Sequence, residues 1–401
     1  MSQAAVTDQP PSGGPLAGLT LHGAVAAATF FACSSAPTPL YRLYQESLGL
    51  SPLLLTLVFA AYAFSLLAAL LTLGRLSDFV GRRPMMLAAL LLNALALLVF
   101  ILAQSALALI LARVLQGFAA GIAATTFGAA ILDSDRQRGP VINSVTGFLG
   151  LTVGTLGAGA LASYAAEPAP LVYGLLLGVT LLLVLLLPWL PETAARRPGA
   201  LASLRPRIAV PRQARAALLE VTPVNVASWA LGGFYFSLMP SVVRSASGFE
   251  SALVGGLDVA LLTATAATMV LLLRRRSPAV LLTLGTGSLA LGVAVTLGGL
   301  LAGSTALLFL GTLVSGVGFG TTFAGVLRHV LPLAPPGERA ALLAAYYVMS
   351  YIAFGLPAIL AGLLVPEIGL PLTTYLYGAV VIVLALLSLL ALRLRPQGAA
   401  A

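Results

Sequence analysis

The sequence predicts an all-α membrane protein: twelve transmembrane helices in two pseudo-symmetric six-helix bundles. Three observations predict it. The 401 residues are 59% hydrophobic and 8% charged, with a mean hydropathy of +1.03, far from soluble globular usage. The apolar residues fall in runs of about 20, the length that crosses a bilayer as a helix, and not in the short alternating strands of a β-barrel. The charges, finally, gather in alternate loops. Every basic side chain except two histidines is an arginine.

Taken in order, the runs cover 17–38, 52–73, 84–104, 106–131, 140–164 and 170–190, then 217–240, 250–273, 278–301, 304–328, 340–364 and 371–393. Residues 1–15 read as a flexible tail, 16–190 as the first bundle, 217–395 as the second, and 396–401 as a short C-terminal tail. Between the bundles, 191–216 carries six arginines and four prolines and reads as a basic linker. The halves echo each other. Thr125-Thr126-Phe127 returns as Thr321-Thr322-Phe323, 196 residues later, and Arg82-Arg83-Pro84 returns as Arg275-Arg276-Ser277-Pro278. The sixth and twelfth runs are nearly all aliphatic, as lipid-facing helices should be. The polar side chains concentrate in the other runs, where they should face the bundle interior or a wet cavity.

A net charge of +9 would suggest nucleic acid in a soluble domain. Here topology explains it. Arg42 and Arg244 fall on one side and Arg113 lies within a helix; the remaining eighteen of 21 basic residues share the other side. The positive-inside rule then places both termini in the cytoplasm, although the N-terminal tail itself has no arginine. Nucleic acid is not an expected partner; the lipid bilayer is. Cys33 is alone, so no intrachain disulfide is possible. No charged segment precedes the first run, so no cleaved leader is expected. Richness in Ala, Gly, Leu and Arg without Lys suggests a GC-rich bacterial genome, hence the cytoplasmic (inner) membrane, multi-pass.

The most distinctive loop is Gly74-Arg75-Leu76-Ser77-Asp78-Phe79-Val80-Gly81-Arg82-Arg83-Pro84. Gly74 and Gly81 can relax the backbone between helices. Asp78 and Arg82 stand i,i+4, and Pro84 suits a first helical turn. The pattern resembles the G-x-L-x-D-x-x-G-R-R/K loop between the second and third helices of major facilitator superfamily transporters. Further segments carry the same resemblance. Arg113-Val-Leu-Gln116-Gly117, with Gly121, is similar to the R-x-x-Q-G-x-x-x-G of the fourth helix, whose arginine the family links to proton coupling. Gly150, Gly154, Thr155 and Gly159 in the fifth helix look like the antiporter motif of drug-efflux members, G-x-x-x-G-P-x-x-G-G-x-L. Thr155 stands for the proline there and Ala158 for a glycine. In the family an acid after the fourth helix can pair with the loop arginine, which suggests Asp133 with Arg82 as an inner latch. Pro191-Glu192-Thr193 resembles the end of the sixth helix, and Pro336-Gly337-Glu338-Arg339 looks like arabinose-efflux-type and drug permeases.

Asp258, in Gly255-Gly256-Leu257-Asp258, is the carboxylate placed deepest in a run, and Arg113 is the deepest base. Each costs roughly 2.5–3.5 kcal/mol at mid-bilayer on insertion scales, so each needs a reason. Low dielectric favours the neutral carboxyl, which makes Asp258 the candidate proton carrier, with Arg113 tuning the electrostatics. A substrate cavity is expected to be lined by Tyr62, Gln116, Asn143, Asn225, Trp229, Tyr235, Tyr346, Tyr347 and Tyr351. So few charges favour neutral or cationic amphiphiles over dicarboxylates and phosphates.

The expected function is proton-coupled efflux of small amphiphilic drugs or metabolites by alternating access, from a monomer, with protons and a small-molecule substrate as partners. An uptake symporter or facilitator for a sugar or other metabolite is the alternative. No Walker-type nucleotide site is possible without lysine. No cofactor or metal is expected. An intramembrane enzyme would need paired carboxylates, metal ligands or a nucleophile with its base, and this chain offers none in an evident pattern.

Overall fold

The computed structural model describes residues 15–393, so the tails expected at 1–15 and 396–401 lie outside the described residues, Pro15 apart. Among the described residues all regular structure is helical. α1 (Pro15–Ser35) and α2 (Pro37–Leu48) make the first span, interrupted at Ala36. α3 (Pro52–Leu73) is the second. A single turn, α4 (Ser77–Val80), sits in the distinctive loop. α5 (Arg82–Ile101), α6 (Ala106–Ser134), α7 (Gly139–Tyr164) and α8 (Pro168–Leu186) are the third to sixth, and α9 (Ala200–Ser203) is one turn within the linker. The seventh span is α10 (Arg212–Ser237) with α11 (Met239–Ser247), bent by 62°. α12 (Ala252–Leu272), α13 (Pro278–Leu301), α14 (Thr305–Val330), α15 (Arg339–Ile368) and α16 (Leu370–Arg393) complete the chain. Among the described residues eleven helices are long and apolar enough to cross a membrane, or twelve with the bent pair taken as one span.

The ends of these helices follow local chemistry. Ser51, Ser105, Ser277 and Ser304 each accept a hydrogen bond from the backbone N–H three residues on, at 3.2–3.4 Å, and so cap α3, α6, α13 and α14. Pro52 and Pro278 occupy the first turn, where a missing N–H costs nothing. The seventh span departs from the expected 217–240. It starts at Arg212, because arginines tolerate the aqueous end of a helix. It continues beyond the bend because Pro240 can start a new helix but cannot continue the old one.

Packing repeats between the halves. α3 and α5 lie on α6 as α12 and α13 lie on α14. The halves then meet through two equivalent pairs, α3 on α15 and α7 on α12. Glycine permits the closest crossings: a Cβ at Gly117 of α6 would collide with the Tyr62 carbonyl of α3. Leu182 and Leu185 of α8, and Val380 and Val383 of α16, are exposed and give those helices the apolar outer face a bilayer requires.

Candidate functional site

A cavity of about 170 Å³ lies between the halves, lined by α1, α3, α6 and α7 on one side and by α10, α14 and α15 on the other. Its polar groups are few: Ser34, Tyr62, Arg113, Asn143, Ser144, Ser228, Trp229, Tyr347 and Tyr351, set among phenylalanines. Tyr62, Asn143, Trp229, Tyr347 and Tyr351 thus line it as expected from sequence. Gln116, Asn225, Tyr235 and Tyr346 do not. All four are buried and turned into other contacts. Asn225 donates to the Ser350 hydroxyl at 2.9 Å, and Tyr346 accepts from Trp229 Nε1 at 3.3 Å. A helix carries buried polar groups on more than one face, and sequence does not say which face meets the cavity.

Arg113 is held at a break. Pro37 has no N–H, so the carbonyl of Cys33 loses its helical donor. Gln116 Nε2 fills that place at 2.9 Å. Arg113 Nη1 donates to the Ser34 carbonyl at 2.9 Å and to Gln116 Oε1 at 2.8 Å, and Nη2 reaches the Tyr41 hydroxyl at 3.4 Å. The guanidinium sits over the Tyr62 ring, 4.7 Å from its centroid, an arrangement that favours a cation. Its Nε is buried without a partner. The arginine and glutamine of one helix therefore grip the junction between α1 and α2.

Asp258 is fully buried on α12 and does not line the cavity. Its Oδ1 accepts from Thr312 Oγ1 at 2.8 Å. Thr312 in turn lies 2.9 Å from the Tyr235 hydroxyl. Asp258 Oδ2 has no hydrogen-bond partner. Tyr235, expected in the cavity, belongs to this second polar cluster inside the last six spans.

The cavity is shut at one end. There Thr38 of α2 donates to the Phe236 carbonyl of α10 at 2.9 Å. Arg42 donates to the Glu250 carbonyl and lies 3.5 Å from its carboxylate. Ser163 meets Ser251 at 3.0 Å and accepts from the Leu253 N–H at 2.9 Å. Toward the arginine-rich end the lining continues through Leu70 of α3, Ala124 of α6, and Asn143 and Ser144 of α7. Ser144 also lines a wider opening of about 440 Å³ between α7, α12 and α14, with Arg274, Arg328 and Arg339 on its wall.

The distinctive loop sits at that basic end. Gly81 has φ 108, a conformation that disfavours a side chain. Arg82 donates to Asp78 (2.5 Å), to Ser77 (2.7 Å) and to Asp133 (3.1 Å). Glu192, in the segment that resembles the end of the sixth helix, has a second role. Its carboxylate accepts the N–H groups of Arg82 (2.8 Å) and Arg83 (3.0 Å) and so caps α5 at its positive end. Arg83 donates to the Pro188 carbonyl at 2.9 Å. A Cβ at Gly74 would strike the Leu70 carbonyl.

On α7, Gly150 and Gly154 sit against the Ala28 and Ala32 carbonyls of α1. Gly159 meets Gly256 of α12 across the halves, and the Thr155 carbonyl lies against that same Gly256. The segment that resembles the antiporter motif is thus a close-packed surface on two sides. Sequence reading missed the phenylalanines of the cavity and the Arg42–Glu250 seal; Pro37 and Pro39 were the available signal for the break beside them.

Comparison with known proteins agrees with this geometry. The profile of the Major Facilitator Superfamily matches residues 23–297. A search of curated proteins returned no match. Among solved structures the chain is similar to a mutant of the nucleoside transporter NupG, with TM-score 0.70, 16% identity, and coverage of 93% of this chain and 99% of that one. It is also similar to the human organic anion transporter MFSD10 (TETRAN), with TM-score 0.67, 19% identity, and coverage of 94% and 100%. At such identity these two speak for the fold alone. The family match spans well over half of the sequence, and this chain belongs to the Major Facilitator Superfamily.

Proposed function

We propose that this transporter exports small amphiphilic compounds from a bacterial cell by alternating access, as a monomer, with a proton moving inward in exchange. The observation that carries the reading is a cavity between two halves, shut at one end and sharing Ser144 of its wall with the basic opening at the other. The positive-inside rule assigns the basic face, and with it both chain ends, to the cytoplasm. The cavity then faces inward. Residues 16–190 and 217–395 are the two bodies that rock, and 191–216 links them. The loop of Gly74, Asp78, Gly81, Arg82 and Arg83, with Asp133, belongs wholly to the first half. It acts as the inner gate when the halves close on that side. Support for export over uptake is the resemblance of the Gly150–Gly159 segment to the antiporter motif. The two similar structures are a nucleoside transporter and an organic anion transporter, so the fold does not choose the substrate.

Asp258 is the proposed proton carrier, because Oδ2 has no partner and a buried ionised carboxylate lacking partners is costly. It lies on α12, the helix that packs on α7 across the halves, so loading it bears on the moving interface without touching substrate. Arg113, on the cavity wall of the other half, sets the field there. The test is transport in proteoliposomes with and without an imposed pH gradient. Asp258→Asn should abolish gradient-driven transport while substrate binding persists, since Asn keeps the shape and loses the proton. Wild-type proton flux per substrate in Asp258→Asn would falsify this assignment, and gradient-independent transport by the wild type would make the protein a facilitator.

A further inference from the structure

Resting on the reading of the central cavity as the substrate site, we propose that the substrate is an aromatic organic monoanion, drawn from the basic face through an arginine-lined vestibule. Among the residues that line the cavity, Arg113 is the one charged side chain, and no carboxylate is present. Its hydrogen bonds all go to neutral oxygens: the Ser34 carbonyl, Gln116 Oε1 and the Tyr41 hydroxyl. It forms no ion pair with any described residue. Asp258 is not its counter-ion, because that carboxylate is turned to Thr312 within the other half. A buried cation without a counter-ion is costly, and the buried Nε has no acceptor at all. One negative charge brought by a ligand would offset the cost. A second would meet no partner, which limits the ligand to a monoanion.

The rest of the wall sets the ligand's body. Trp229 stands 5.1 Å from Tyr351 and 5.9 Å from Phe354, centroid to centroid. Phe59 of the other half stands 4.9 Å from Phe354. These rings pack on one another and present an aromatic wall on which a flat ring can stack, and about 170 Å³ suits a one-ring acid. The path inward carries the same sign. Arg274, Arg328 and Arg339 surround the vestibule with no carboxylate in its lining. Arg328 donates to the Arg274 carbonyl at 2.8 Å and Arg339 to the Ala334 carbonyl at 3.2 Å. None of the three is ion-paired with a described residue. An uncompensated basic funnel raises the local concentration of anions. The sequence favoured neutral or cationic amphiphiles because charges were few; the cavity shows that the single charge is positive and unmatched.

The test uses three probes of one shape: phenylacetate, phenylacetamide and phenethylammonium. Binding to the full-length protein is read from Trp229 fluorescence in a Trp189→Phe background. Phenylacetate should bind at least about tenfold tighter than either analogue, as charge complementarity in a desolvated site requires. Arg113→Gln should remove that preference, so that phenylacetate binds no more tightly than phenylacetamide to the same variant. Arg328→Gln, away from the cavity, should slow phenylacetate association and flatten its salt dependence without changing dissociation. Equal or tighter binding of the amide or the ammonium to wild type overturns the anion proposal and leaves the transport reading standing. If no probe quenches Trp229, both the proposal and the assignment of this cavity to substrate fail.

Discussion

Gly154 shows how tightly a single position can be specified. It faces the Ala32 carbonyl and the Ser35 hydroxyl of α1, so any side chain must push two helices apart. Overpacking of this kind costs roughly 1–3 kcal/mol. Gly154→Val should therefore lower the melting temperature of the purified protein by several degrees. Gly174→Ala, with nothing near its Cβ position, should leave the temperature unchanged. Equal melting of the two variants would remove the close-packing account of this helix. At this scale the sequence was partly legible. The spacing of Arg113, Gln116 and Gly117 marked a functional face of α6. Their partner, the turn before Pro37, was marked only by Pro37 and Pro39, and a proline does not say which side chain will take the place of its missing N–H. Asp258 was legible as a buried acid but not as one outside the cavity. That depends on the rotation of α12 about its axis, which periodicity leaves open in a helix apolar on most faces.

Among elements, the shut end of the cavity is built from two interrupted spans. α1 stops at Ser35 and resumes as α2, and α10 stops at Ser237 and resumes as α11, so equivalent helices of the two halves fold over the cavity together. Polar bonds decorate this seal more than they hold it. Glu250 is 82% exposed, and an exposed ion pair contributes about 0.2–1 kcal/mol. Close approach of α12 to α7 is the stronger term: a Cβ at Gly256 would come within 2.8 Å of the Thr155 carbonyl and 3.3 Å of Pro39. Gly256→Val should therefore favour the opposite conformation, whereas Arg42→Gln should barely shift the balance. The measurement is alkylation of Ser144→Cys, in a Cys33→Ala background, by an impermeant reagent applied from the basic face. Labelling should fall clearly in Gly256→Val and stay near the parent level in Arg42→Gln; the reverse order would assign the seal to charge. The long runs were readable because hydropathy over twenty residues is a strong signal. The folded-over extensions were not, since α2 and α11 are short, mixed in polarity and continuous in sequence with the spans they end.

For the whole molecule, charge links the distribution of arginines to the energetics of transport. The basic face fixes orientation, and orientation fixes the sign of every charge movement. Export of a monoanion in exchange for one inward proton carries two positive charge equivalents toward the basic face. A neutral substrate would carry one, and a monovalent cation none. Each elementary charge crossing the membrane is worth about 2.3 kcal/mol per 100 mV, so the anion exchange gains about 4.6 kcal/mol from a 100 mV potential, negative on the basic side. The consequence is measurable apart from any pH gradient. In proteoliposomes preloaded with phenylmethanesulfonate, which stays ionised, a potassium diffusion potential set by valinomycin should accelerate release when the compartment facing the basic surface is negative. It should retard release when the polarity is reversed. Asp258→Asn, if it no longer exchanges protons, should lose the component due to the proton while any residual anion movement keeps its dependence on potential. Release indifferent to potential in the wild type would mean an electroneutral exchange. For a sulfonate that stays ionised this requires a proton leaving with it or another anion entering in its place, and either would overturn the exchange of an outgoing anion for an inward proton.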